Sequence, residues 1–238
     1  MKKKLLLCCW LLCPVVLLAY HYGPGQSGLS RDHAAKQIAR AALLEESENW
    51  PEAVTAYTEA LAKVPESDRD PRWQLRLAKS KARMHAGELP EAISDMEALL
   101  AEMQKSGATA KQSEEVRTQL ATAQYYAAWL MRLEGASIEE WTVQVENARQ
   151  HFRLLAEEKL KSDAPAAKAH QEDLEATIRL ARMDLSELQG LPLPGFCKGC
   201  KNVSQKCRGQ CEGKAQKPAE EKKDARGASA GERPRGGS

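Results

Sequence analysis

From Arg31 to Leu188 apolar residues recur every three or four positions, and short polar or glycine-bearing stretches interrupt them, the pattern of consecutive amphipathic helices. Ile38, Ala41, Ala42 and Leu44 set an apolar stripe on a first helix that ends near Ser47. Ala53, Val54, Tyr57, Ala60, Leu61 and Val64 continue at helical intervals from about Trp50. Pro65 stops that helix, because the residue before a proline avoids the α region. Ser67 to Pro71 is a polar connector in which Asp70 can cap the next helix. That helix runs to about Ala86, its partner from Leu89 to about Lys105, and Ser106-Gly107 makes the following break. Leu120 to Leu133 holds Tyr125, Tyr126 and Trp129 and ends at Gly135. Ser137 and Glu140 have capping-box spacing and open a helix through Ala148, Phe152 and Leu155. A last helix, about Ala164 to Leu188, carries Leu174, Ile178, Leu180 and Leu185 and closes the series.

One piece of this pattern occurs twice. Trp50-Pro51-Glu52-Ala53-Val54 and Leu89-Pro90-Glu91-Ala92-Ile93 superpose at an offset of 39, and Leu61-Ala62 then falls on Leu100-Ala101. Proline suits the first turn of a helix, where its missing N–H has no partner to lose. Asn49 with Glu52 offers a cap for the first copy, and Gly87 ends the helix before the second. Each copy reads as helix, tight turn, helix.

In this arrangement the chain resembles the tetratricopeptide repeat (TPR) family, whose unit is about 34 residues long with small and aromatic residues at fixed offsets. Ala53, Tyr57, Ala60 and Pro65 match that family's second helix, and Ala41 and Leu44 its first. In the second copy Gly87, Ala92 and Ser80 match, while Met96 replaces the aromatic and Arg83 stands where a bulky apolar residue is expected. A third, looser unit uses Ala148, Phe152 and Leu155. The resemblance implies an all-α fold of antiparallel helical hairpins stacked as a short TPR-like solenoid over 32–188, in which the first helix of each hairpin faces inward. The inward positions are then Ala35, Ile38, Ala42 and Glu45; Gln74, Leu77, Lys81 and Met84; and Thr122, Tyr125, Trp129 and Arg132. Tyr125, Trp129 and Arg132, with Leu77, Lys81 and Met84, form the expected protein- or peptide-binding surface, because Trp, Tyr and Arg anchor interfaces. The competing expectation is that Tyr125 and Trp129 are core, packed on the insertion Ile138–Trp141. The family's charged clamp for peptide C-termini has no counterpart, since Ile38 and Ala42 hold those positions.

The two ends of the chain change the picture. Lys2-Lys3-Lys4, an uncharged run from Leu5 to Tyr22 and then Gly23-Pro24-Gly25 make an export signal over 1–22, read as an uncleaved hydrophobic anchor helix. It places the body outside the cytoplasm, tethered to an inner membrane in the cell envelope, with residues 23–31 as a linker. After a second linker, 189–196, Cys197, Cys200, Cys207 and Cys211 form a knuckle over 197–211. Four thiolates at C-x2-C-x6-C-x3-C spacing suit one tetrahedral zinc ion, and an oxidising compartment equally suits two disulfides. A metal-binding or thiol-redox module in this cluster, with the helices as a stalk, is the alternative function.

Residues 196–238 carry eleven Lys or Arg against five Asp or Glu, so with an overall net charge of +2 the remaining 195 residues sum to −4. An acidic helical body with a basic tail argues against a nucleic-acid-binding core. Residues 212–238, rich in Pro, Gly, Lys, Glu, Ala and Ser, have the composition of a disordered tail. Asn202-Val203-Ser204 is a glycosylation sequon. The five histidines form no HExxH pair, and neither a glycine-rich phosphate loop nor a nucleophile elbow occurs, so the reading is non-catalytic.

Overall fold

A computed structural model describes Trp10, residues 12–15, 24–193 and 203–204. The described chain is all-α, with no strand. From residue 24 on, the described helices are, in order, α1 Pro24–Glu46, α2 Trp50–Leu61, α3 Arg69–Ala86, α4 Leu89–Lys105, α5 Ala110–Leu133, α6 Ile138–Lys159, α7 Ala164–Arg182 and the short α8 Leu185–Gln189. The chain divides into two compact units, Met1–Lys79 and Ser80–Ser238, and the division falls inside α3. Among the described residues no helix is long and apolar enough to cross a membrane. Most of the proposed anchor, all four C-terminal cysteines and the whole of 212–238 lie outside the described residues.

In the first unit α1 packs on α2. The α2 face that is buried carries Ala53, Ala56, Tyr57 and Ala60, and α1 contributes Ala34 and Ala41. Small residues on both sides let the two backbones approach closely. Tyr57 reaches across to donate a hydrogen bond to Glu45 Oε1 at 3.0 Å, and burial with the nearby Glu45 charge pushes its phenol well above the usual pKa. Arg72 on α3 donates to the carbonyls of Leu61 and Val64, satisfying acceptors that the end of α2 leaves open.

In the second unit α5 is the central helix. It packs against α4, α6 and α8, and α7 packs on α6. The repeat at offset 39 survives as burial: Ala53, Tyr57 and Ala60 of α2 correspond to Ala92, Met96 and Leu99 of α4, and all are buried. Arg83, at the expected apolar position, is accommodated by charge. Its guanidinium lies 2.8 Å from Asp95 and 3.2 Å from Glu88.

One turn recurs between helices. After Ala86, Ser106 and Glu134 the chain folds back through Gly87, Gly107 and Gly135, each at positive φ, with the paired hydrogen bonds of a Schellman motif. Between α1 and α2 the same bonds form, Glu48 N to Glu45 O and Asn49 N to Leu44 O, but the left-handed residue is Glu48 at φ 56. The expected side-chain cap from Asn49 is not formed, because this turn already occupies the residues preceding Trp50. The Ser137–Glu140 capping box does form.

Helix limits differ from expectation in four places. α1 begins at Pro24, well ahead of Arg31, so most of the expected linker 23–31 is helical. Asp70 lies inside the first turn of α3 instead of capping it. α5 begins at Ala110 behind a capping box of Thr109 and Gln112; the inward side of its first half is Ser113, Val116 and Arg117, which gives no apolar stripe to read. The expected Ala164–Leu188 helix breaks at Met183, where the backbone is extended and Asp184 caps α8 by accepting from Glu187 N at 2.8 Å.

Candidate functional site

The residues expected to line a binding groove are mostly inside. Tyr125 and Trp129 are fully buried on α5, so the core alternative is the one the structure takes. Their rings meet edge to face at 6.1 Å, and Tyr126 joins them, 5.1 Å from Tyr125 and 6.2 Å from Trp129. Aromatic rings in this offset and perpendicular packing fill volume efficiently. Leu77 and Met84 are buried as well. Lys81 is half-exposed, 3.6 Å from Glu115. Arg132 is turned to structural use: its guanidinium donates to the carbonyls of Leu180 and Met183 and stacks over the Trp141 ring at 4.9 Å. Burial lowers its pKa and the neighbouring Asp184 carboxylate opposes that shift. Arg132 therefore clamps the break between α7 and α8.

The first inward set has the opposite fate. Ala35, Ile38 and Ala42 of α1 are exposed, Ile38 at 39%, and Leu29 and Leu43 on the same helix are exposed at 49% and 66%. At 100° per residue these five spread over about half the circumference of α1, interleaved with Arg31, Asp32, Lys36 and Glu46, while Ala34 and Ala41 occupy the side that meets α2. α1 therefore leaves several apolar side chains in water outside the side that α2 covers.

A third feature was not anticipated from sequence. Glu134, the residue that ends α5, accepts two hydrogen bonds from consecutive backbone N–H groups. Val203 N lies 3.0 Å from one carboxylate oxygen and Ser204 N 2.7 Å from the other. Both donors belong to the interval between Cys200 and Cys207, and both are sealed from solvent, Val203 at 1% and Ser204 at 0% exposure. Ser204 is also the third residue of the sequon.

Two other clusters are structural. Arg117 Nη1 approaches His151 Nδ1 at 3.4 Å between α5 and α6, and burial with the Arg117 charge lowers the His151 pKa to about 4. On α7 and α8 a shallow groove is lined by Glu175, Ile178, Arg179, Arg182, Met183 and Glu187, where two carboxylates and two guanidinium groups leave no net charge. Among the described residues no His, Cys, Asp or Glu group is arranged to hold a metal; Cys197, Cys200, Cys207 and Cys211 are not among them. No protein-family model, curated protein or solved structure matches the chain.

Proposed function

We propose that the chain is a non-catalytic scaffold, a short TPR-like array of helical hairpins that binds a protein or peptide, exported and held at a membrane by residues 5–22. The observation that supports this reading is the set of aliphatic side chains that α1 leaves in water. Leu29, Ala35, Ile38, Ala42 and Leu43 are exposed among charged residues on a helix whose Ala34 and Ala41 are used against α2. Apolar area left in water forgoes roughly 25 cal/mol per Å². The partner expected there is an amphipathic helix laid along α1, reading anchors at helical spacing. Ala35, Ile38 and Ala42 are also the inward positions that the repeat layout assigns to the first hairpin.

The test is capture by the full chain from its own envelope extract, wild type against Leu43→Gln and, as control, Lys168→Ala on α7. A partner retained by Lys168→Ala and lost with Leu43→Gln supports the reading. Equal recovery by all three overturns it.

A second reading puts activity in the cysteines, as a zinc or thiol-redox module at Cys197, Cys200, Cys207 and Cys211. What favours it is that Val203 and Ser204, inside that segment, are held on the helical body by Glu134. Metal content and free-thiol count of the purified chain, taken together, separate zinc from disulfides. Four free thiols without metal would leave neither form standing.

A further inference from the structure

The Glu134 contact combines features that a passive surface contact lacks. A carboxylate at a helix C-terminus lies at the negative end of the macrodipole, where its charge is disfavoured. Glu134 is compensated there by two charge-assisted hydrogen bonds from the chain that docks on it. Successive N–H groups of a strand point to opposite sides, so the two that share one carboxylate are not in an extended strand, and the chain bends at Ser204. Recognition is thus through backbone, with Val203 supplying an apolar side chain that is completely enclosed.

The contact is also far from local. Glu134 and Val203 are 69 residues apart. Glu139 and Glu140 follow Glu134 at the start of α6, while Lys198, Lys201, Lys206 and Arg208 flank Val203-Ser204 in sequence, so the two stretches carry opposite formal charge.

We propose that the corner where α5 ends is a docking site for a short peptide turn, recognised by its paired backbone N–H groups and one buried aliphatic side chain, and that its resident ligand is the chain's own Val203-Ser204, bound in cis. Tethering gives the resident segment an effective concentration of about millimolar, so an external peptide of the same chemistry meets an occupied site. The C-terminal segment is in this way held to the second unit and withheld from other partners until it is displaced. The proposal does not depend on α1 or on the state of the cysteines.

The experiment has two readouts on the full chain under reducing conditions. Hydrogen exchange should show the Val203 and Ser204 amides protected in the wild type, and Glu134→Lys should abolish that protection. Unprotected amides in the wild type would overturn the proposal. The second readout uses Val203→Asp, which empties the site, with a labelled synthetic peptide of residues 198–210 carrying Ser in place of Cys. The variant should bind this peptide at least about tenfold more tightly than the wild type, whose site is filled in cis. Adding Glu134→Lys to Val203→Asp should remove the binding. A Val203→Asp chain with unchanged helical circular dichroism and no gain in peptide binding would overturn the site. A concentration-dependent dimer that Glu134→Lys dissolves would overturn occupancy in cis.

Discussion

α1 and α5 are the two helices whose apolar residues spread furthest around the axis, and they end up in opposite surroundings. α5 has α4, α6 and α8 against it, so Tyr125, Tyr126, Trp129 and even Gln124 vanish from solvent. Gln124 donates through Nε2 to Glu97 Oε1 at 3.1 Å, while its Oε1 is buried without a partner. α1 lies on α2 through Ala34 and Ala41 and keeps Leu29, Ile38 and Leu43 in water. Similar apolar content therefore becomes core in one helix and candidate contact surface in the other. Neighbours, not composition, make the difference, and residue type alone is a poor guide to which aromatic or aliphatic residue a partner touches.

Substitutions can break this contrast, and the largest effect is expected in α5. Trp129→Ala should cost about 3–5 kcal/mol in urea unfolding, since it empties the centre of a closed aromatic cluster. If Trp129 were contact surface instead, stability would hold and only binding would fall. Acid comes next, again through the second unit. His151 is held at about 4 in the folded chain against an ordinary 6.5. Between these values the unfolded chain takes up a proton that the folded chain refuses. Stability is therefore complete above about pH 6.5 and falls as pH drops towards 4, by about 1–2 kcal/mol after allowing for the ring's partial contact with solvent. Melting temperatures across this range should slope downward with acid, and His151→Gln should flatten the slope.

The turns sharpen the comparison at smaller scale. Gly107 has open space where a Cβ would sit, so Gly107→Ala should lose only the backbone term, about 1–2 kcal/mol, for holding an L-residue at positive φ. The first unit carries that strain already at Glu48, so Glu48→Gly should gain about 0.5 kcal/mol once glycine's extra unfolded-state freedom is deducted. A loss on Glu48→Gly would mean that the carboxylate makes a contribution of its own. Smallest of all, Leu43→Gln should change stability by less than about 0.5 kcal/mol, because at 66% exposure the side chain already meets water, while removing partner capture. A large loss of stability would place Leu43 in the core and end the contrast.

Much of the fold is legible in the chain. Pro51 and Pro90 set helix starts, Gly87, Gly107 and Gly135 set the turns, and Ala53–Tyr57–Ala60 repeats as Ala92–Met96–Leu99 because the same face of the same helix is buried in both copies. The first half of α5 was hidden because Ser113 and Arg117 occupy inward positions. The break at Met183 was hidden because the apolar period continues through it, although Asp184 with Glu187 has capping spacing. The candidate sites were less legible. Nothing about Glu134 distinguishes it from other helix-end carboxylates until a segment 69 residues away lies on it.

Sequence by itself determined the helices, their order, the hairpin turns and the division of charge between body and tail, since each rests on residues close together in the chain. Tertiary structure decided which apolar faces are closed, what Arg132 holds and which two amides Glu134 accepts. Those outcomes depend on which elements meet, and side chains tens of residues apart acquire their partners only when the helices pack.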